Sequence, residues 1–169
     1  MTVLIPPRRL AEIPDEGIAE AAFPHRLLPG CESVLLLFCA GLYGRNDGYW
    51  VRNARIRDVT GIDIDAERLE HMRSLYPRPW TLQESDCFTY QPGRTFDLVC
   101  VDPPTLLTDR AAGLLSRWCD LANKAVVLGL HWKSLAKYSL RAPLGWEATE
   151  LIKRADHRGG TYWLVLERV

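Results

Sequence analysis

The sequence predicts an α/β fold built on a doubly wound, mostly parallel sheet, and three stretches carry this prediction. Each is a short apolar run that ends in small or acidic residues: Val34 to Phe38, Val59 to Ile62 and Phe96 to Val101. Continuous apolar runs of this length are typical of strands that are buried on both faces. In such sheets, ligands bind at the carboxyl ends of the strands.

The first of these runs ends in a turn of small residues. Cys39-Ala40-Gly41 follows Phe38 directly, and Gly44 comes soon after. Small residues let the backbone approach a ligand closely. The second run ends in Asp63, about 20 residues beyond Gly41, where a nucleotide-binding α/β fold places the acid that binds a ribose. A helix-capping acid is the ordinary alternative for Asp63, but Asp65 is better placed for capping.

The remaining elements follow in alternation. Asp65 begins an amphipathic helix, AERLEHMRSLY, with Leu69, Met72 and Leu75 facing inward. Other helices are expected within 46–57, 106–123 and 132–140, and a short one from Asp15 to Phe23. Further strands are expected at 80–83, 125–130, 147–153 and 161–167, with Arg158-Gly159-Gly160 turning between the last two. Between Cys87 and Thr95 there is little room for a helix.

Length and composition indicate a single domain over residues 1–169, with a proline-rich arm at 1–30 and the core at 31–169. Lys and Arg total 21 and Asp and Glu total 21. This balance argues against a protein that coats nucleic acid, but it permits an enzyme that visits nucleic acid briefly.

The cysteines and the hydropathy pattern favour a cytoplasmic protein. Five cysteines occur without a CxxC pair, which argues against a disulfide framework and against a metal site. The first residues, MTVLIPPRRL, lack the pattern of a signal peptide, and no segment approaches the length of a membrane span. We therefore expect no membrane association.

Residues 33 to 130 resemble the class I S-adenosylmethionine-dependent methyltransferases. LFCAGLYG, at 37–44, is similar to the LFxGxG form of their first motif, and Asp102-Pro103-Pro104 is similar to the (D/N)PP(Y/F/W) signature of enzymes that methylate exocyclic amines of nucleic-acid bases. Two positions depart from the family: Leu36 stands where an acid is common, and Thr105 stands where an aromatic residue is usual. The resemblance implies a Rossmann-like fold with a seven-stranded mixed sheet in the order 3-2-1-4-5-7-6 and helices on both faces.

The resemblance also implies S-adenosylmethionine as cofactor. Asp63 would bind the ribose, Asp86 would contact the adenine, and Cys87 would offer a backbone N–H. The full set of implied cofactor-binding residues is Phe38, Cys39, Ala40, Gly41, Tyr43, Gly44, Asp63, Ile64, Asp86 and Cys87.

The catalytic residues implied by the resemblance are Asp102, Pro103, Pro104 and Thr105. An aromatic amine is a poor nucleophile, and a carboxylate with a rigid carbonyl can accept its N–H groups and aim its lone pair. A proline-rich strand exit is the structural alternative for this motif. Thr105 cannot stack on a flipped base. His131 and Trp132 are candidate substrate-side residues, with Trp132 as a stacking face and His131 for proton handling.

The predicted function is therefore methylation of an exocyclic amine in DNA or RNA. The nucleic acid would be bound transiently, and a protein partner is one source of target specificity. Two alternatives stay open: a small-molecule methyltransferase, and a methyltransferase-like binding module without activity. Basic residues cluster after the first motif and in the last third of the chain, and a phosphate track and a solvated surface explain them about equally well.

Overall fold

The structure of the chain is a computed structural model that describes residues 10–12, 27, 29–39, 56–75, 80–137, 141–154 and 161–169. One sheet runs through these ranges. Its eight strands are β1 (Leu10–Glu12), β2 (Ser33–Leu37), β3 (Asp58–Asp63), β4 (Thr81–Glu84), β5 (Phe96–Val101), β6 (Ala122–His131), β7 (Trp146–Arg154) and β8 (Thr161–Arg168).

The strand order is β1-β7-β8-β6-β5-β2-β3-β4. All pairs are parallel except those of β8, which is antiparallel to both β6 and β7. The predicted order of seven strands and the antiparallel direction of the last strand are therefore confirmed. β1 was not predicted, and it adds a three-residue edge strand beside β7. Three residues among prolines are too few to show a period of two in the sequence.

Helical segments accompany the sheet in the described ranges. One follows β3 and the others follow β5 and β6, with the bounds α1 (Ala66–Leu75), a 3-10 turn (Thr105–Leu107), α2 (Thr108–Gly113), α3 (Leu115–Asp120) and α4 (Trp132–Lys137). None of the helices among these residues is long and apolar enough to cross a membrane.

Both faces of the sheet are covered, as predicted. Successive residues of β2 alternate between two buried clusters, because side chains of a strand point to opposite faces. Leu36 packs in the cluster that contains Leu69 and Met72 of α1. Leu37 packs in the cluster that contains the fully buried Trp118 of α3. The apolar runs of the sequence are continuous because both faces of the strands are buried.

The beginning of α1 follows the prediction closely. The Asp65 carboxylate accepts the Arg68 N–H over 3.0 Å and caps the helix. Leu69 and Met72 are buried. The side chain of Leu75 lies outside the described residues, as do Pro77 and Pro79.

The predicted helix over 106–123 is wrong in its continuity. The chain instead forms the 3-10 turn, α2 and α3, and it enters β6 at Ala122. Leu114 leaves helical geometry with φ −109° and ψ 21°, directly after Gly113. Glycine costs helix stability relative to alanine, so a break at this position is inexpensive. β6 also begins three residues before the predicted Ala125, because the exposed Asn123 and Lys124 mask the strand pattern.

Other predictions are decided only in part. Residues 87–95 form turns and irregular chain without a helix, as expected. Ile56 and Arg57 are not helical, which corrects the end of the helix predicted within 46–57. The rest of that helix, the helix from Asp15 to Phe23 and the turn at 158–160 lie outside the described residues.

Candidate active site

One edge of the sheet collects the residues that the sequence singled out. β2, β3, β4, β5 and β6 are parallel, so their carboxyl ends lie side by side. In the register of the sheet, Leu37 pairs with both Ile62 and Val101, and Val101 pairs with Leu128. The segments 38–39, 63–64, 102–105 and 129–132 follow these positions, and 85–87 follows the end of β4, which pairs with β3. Ala40, Gly41, Tyr43 and Gly44 lie outside the described residues.

The turn after β2 begins with a strained residue. Phe38 has φ 64°, in the left-handed region that side chains other than glycine seldom adopt. Its N–H donates to Cys87 Sγ over 3.2 Å, and the Cys39 N–H donates to the Ile62 carbonyl over 3.2 Å. Its ring packs edge-on against Phe88 with centroids 5.1 Å apart. Strain of this kind persists where surrounding contacts hold it, and it is common at ligand sites.

Cys87 joins three strand ends through its side chain. Its thiol accepts the Phe38 N–H and donates to the Ile62 carbonyl over 3.3 Å. Burial raises the pKa of the Cys87 thiol to about 12, so the thiol stays protonated at neutral pH. A thiol in this state is a hydrogen-bonding group and not a nucleophile. The sequence suggested only its backbone N–H, so this side-chain role is additional.

Asp63 lies at the end of β3 and is 9% exposed. Its Oδ1 accepts the Asp65 N–H over 3.1 Å, and its carbonyl accepts the Ser85 N–H over 2.9 Å. Since Asp65 caps α1, Asp63 is not the helix cap. Next to it, the Ile64 side chain is 72% exposed and presents an apolar surface at the sheet edge.

Asp86 organises the turn after β4. Its carboxylate accepts the Phe88 N–H over 2.9 Å and the Thr89 hydroxyl over 3.3 Å. Its carbonyl accepts the backbone N–H groups of Thr89 and Tyr90. These bonds hold the half-buried Asp86 near Asp63 at the sheet edge, where both carboxylates raise the pKa of Cys87 after the larger effect of burial.

Asp102 follows β5 and is half-buried. Its N–H donates to the Leu37 carbonyl over 3.3 Å, which ties it to the end of β2. Pro103 is buried and Pro104 is exposed, and the Pro104 carbonyl accepts the Leu107 N–H over 2.7 Å. No hydrogen bond from the backbone of the described residues reaches the Pro103 carbonyl. The backbone of Thr105 starts the 3-10 turn, and its side chain lies outside the described residues.

His131 and Trp132 lie at the end of β6 on the same edge. The Trp132 side chain is 49% exposed, and Lys133 Nζ lies 5.7 Å from its ring centroid. His131 Nδ1 accepts the Lys133 N–H over 3.3 Å. This bond directs the proton of a neutral imidazole to Nε2, where it can be donated.

Three solved methyltransferase structures share this architecture. HI0767, a candidate methylase of Haemophilus influenzae, has a TM-score of 0.64 at 15% identity over 85% of this chain and 92% of its own. An rRNA methylase of Streptococcus thermophilus has a TM-score of 0.61 at 12% identity over 86% and 93%. Magnesium protoporphyrin IX methyltransferase of Synechocystis, solved with bound S-adenosylmethionine, has a TM-score of 0.58 at 17% identity over 84% and 72%. No protein-family model and no curated protein matches the sequence.

The chain has the class I methyltransferase fold. At identities this low the likeness establishes the fold, whereas activity has to be argued from the site. Within this fold, the described candidate residues lie at or after the carboxyl ends of β2, β3, β4, β5 and β6. No group of three or more His, Cys, Asp and Glu side chains in the described ranges could hold a metal ion.

A polar network beside the site had no signal in the sequence. The buried Thr108 and Ser134 hydroxyls lie 2.8 Å apart, and the Ser134 hydroxyl donates to Asp109 Oδ1 over 2.7 Å. Lys137 Nζ lies 2.7 Å from Asp109 Oδ2. Hydrogen bonds from Lys137 and Ser134 lower the pKa of Asp109 below its ordinary value. The network joins α2 to α4, which begin shortly after Pro104 and His131, and no local pattern could reveal it.

Gly129 is a further residue near the site that the sequence-based prediction did not single out. It lies in β6, where the Asp102 carboxylate rests against it. A glycine inside an apolar strand is a signal of close approach by another group. That signal was present in the run AVVLGLHW.

Proposed function

We propose that this chain is an S-adenosylmethionine-dependent methyltransferase that acts on an exocyclic amine of a nucleic-acid base. The observation that carries the proposal is the tie between Asp102 and Leu37, which sets the Asp-Pro-Pro segment beside the turn after β2 on one sheet edge. In this fold, ligands bind at that edge. The carboxylate is thus adjacent to the residues proposed to hold the cofactor.

The residues after β2, β3 and β4 fit the chemical groups of S-adenosylmethionine. Asp63 offers a carboxylate for ribose hydroxyls, and the exposed Ile64 offers an apolar surface for the adenine. Asp86 and the turn it holds would face the adenine edge. Phe38 and Cys39, with Ala40, Gly41, Tyr43 and Gly44 as sequence-based candidates, would lie along the remainder of the molecule. When bound, the cofactor supplies a methyl group activated by a sulfonium cation.

The Asp102-Pro103-Pro104 segment would orient the amine. The carboxylate accepts one N–H of the amine, and the Pro103 carbonyl, which no backbone N–H of the described residues reaches, accepts the other. Two acceptors at fixed positions draw the amine away from the plane of its ring and free its lone pair for attack. Such positioning and electrostatic stabilisation lower the barrier without a covalent step on the protein.

The substrate side supports a nucleic-acid base. The half-exposed Trp132 supplies a stacking face in place of the aromatic residue that Thr105 replaces, and Lys133 beside it adds a positive charge. His131 would donate a hydrogen bond from Nε2 to the substrate. The likeness to an rRNA methylase over 93% of that chain supports this substrate class. With no net charge, the chain would bind nucleic acid transiently and take target specificity from a protein partner.

The test is methyl transfer from labelled S-adenosylmethionine to mixed RNA, mixed DNA and a small-molecule extract. The parent protein and Asp102→Ala are compared side by side. We expect label in nucleic acid with the parent, and transfer at least about a hundredfold slower with the variant. Cofactor affinity, measured by calorimetry, should stay close to that of the parent, because Asp102 acts mainly in the transition state.

Other results would indicate a function other than the one proposed. Label only in the extract indicates a small-molecule methyltransferase, the class to which the Synechocystis protein belongs by name. Equal label with both proteins removes Asp102 from the mechanism. Cofactor binding without transfer to any pool indicates an inactive binding module.

A further inference from the structure

Gly129 lies so close to the Asp102 carboxylate that no side chain would fit between them. A Cβ atom built on Gly129 would lie 2.6 Å from Asp102 Oδ1, 3.2 Å from Trp163 Cζ3 and 3.4 Å from the Val101 carbonyl oxygen. The first distance is a clash, the second would require Trp163 to shift by a few tenths of an ångström, and the third is an ordinary van der Waals contact. One carboxylate oxygen therefore occupies the space that a side chain at position 129 would need.

The three neighbours differ in their freedom to move. Trp163 is 1% exposed within the core, and Val101 is part of β5 with its backbone in the sheet. The Asp102 carboxylate is the end of a short, rotatable side chain at the half-buried edge. A methyl group at position 129 would therefore displace the carboxylate first.

We infer that Gly129 is a positioning residue for Asp102, and that its missing side chain sets where the carboxylate lies. This inference rests on the proposed function for its catalytic consequence, but its geometric part is independent of that function. Glycine is unfavourable in a central strand, since it has no side chain to pack. At position 129 of β6, the absence of a side chain loses packing but leaves room for the Asp102 carboxylate.

The test is Gly129→Ala, with Gly113→Ala as the control. Gly113 ends α2, and no atom lies within 4 Å of the position that an added methyl group would take, so the control adds the same group without a clash. We expect Gly129→Ala to lower kcat for methyl transfer at least about a hundredfold, since a displacement of about 1 Å has that effect. The dissociation constant for S-adenosylmethionine should stay within about threefold, because the proposed cofactor residues follow other strands.

Two further measurements separate positioning from a general structural effect. Adding Gly129→Ala to Asp102→Ala should cause no further loss of kcat, because the group that it displaces is already gone. Crystal structures of the parent and Gly129→Ala should differ in the position of the Asp102 carboxylate, with β5 and β6 unchanged.

The outcomes separate this inference from the proposed function. A parent-like kcat in Gly129→Ala, or an unmoved carboxylate, overturns the inference. Equal losses of kcat in the presence and absence of the Asp102 carboxylate also overturn it. A parent without methyl transfer overturns the proposed function, and a displaced carboxylate in the variant structure then still supports the positioning of Asp102 by Gly129.

Discussion

Asp63 and Asp65 stand two positions apart after the same strand, yet their surroundings assign them different tasks. Asp65 caps α1 through the Arg68 N–H and also pairs with the Arg68 side chain over 3.0 Å. Asp63 is buried at the sheet edge and accepts the Asp65 N–H. A cap contributes to folding, whereas a buried carboxylate at a ligand edge can contribute to binding.

Replacement of Asp63 should therefore affect cofactor affinity. We expect Asp63→Ala to weaken S-adenosylmethionine binding by about 1–3 kcal/mol, the size of a lost hydrogen bond to a charged group. Calorimetric titration measures this change. The matched control is Asp65→Ala, which should lower the free energy of unfolding by about 1 kcal/mol and leave affinity unchanged. Parent-like affinity in Asp63→Ala would show that another group binds the ribose.

Among the elements, α2 and α4 are joined by a network of polar side chains. Each has six residues, which is too short to be stable alone. The hydroxyls of Thr108 and Ser134 join them in the interior, and Asp109 continues the link to Lys137 at the surface. Because these helices follow the Asp-Pro-Pro segment and His131, the link fixes both sides of the proposed substrate site.

Ser134→Ala removes two of these hydrogen bonds at once. Since Ser134 is 1% exposed, we expect a loss of about 1–3 kcal/mol in the free energy of unfolding. Urea denaturation measures this loss. Ser116→Ala, at an exposed position of α3, serves as control and should change stability by less than about 0.5 kcal/mol. Equal stabilities of the two variants would mean that the network contributes nothing to the docking of α2 on α4.

At the scale of the whole molecule, buried thiols couple folding to alkaline pH. Burial raises the pKa of both Cys87 and Cys119 from the ordinary value of 9.0 to about 12. Between these values the unfolded chain releases protons that the folded chain retains. The contribution of each thiol to stability is thus complete below pH 9 and is lost as the pH rises toward 12.

Removal of one thiol should flatten this dependence. For each titrating thiol, the free energy of unfolding falls by up to about 1.4 kcal/mol per pH unit above about pH 9. Cys119→Ala should be less stable than the parent at about pH 8, because it leaves a small cavity, and the difference should narrow by about pH 11. Urea denaturation at both pH values measures the difference. A gap that stays constant would show that Cys119 ionises alike in both states.

Local patterns in the sequence were sufficient for much of this molecule. Continuous apolar runs mark strands buried on both faces, so the positions of the strands could be predicted from the chain itself. The order of the seven strands came from the resemblance to the class I methyltransferases. The same runs placed Asp63 and Asp102 at the carboxyl ends of strands, where ligands bind in such sheets, and the resemblance added Asp86. The parallel pairing of β2, β3, β4 and β5 puts these ends side by side. Asp65 was recognised as a cap because capping is a local interaction.

Only the tertiary structure could decide features that depend on contacts between distant residues. The close approach of the Asp102 carboxylate to Gly129 brings together a residue after β5 and a residue of β6, and the Cys87 thiol joins three strand ends. The edge strand β1 is defined by its pairing with β7, which a three-residue segment does not reveal in the sequence. The spacing of apolar residues along a strand or helix specifies which face of that element is buried. The distance between two packed elements is set by the side chains that lie between them.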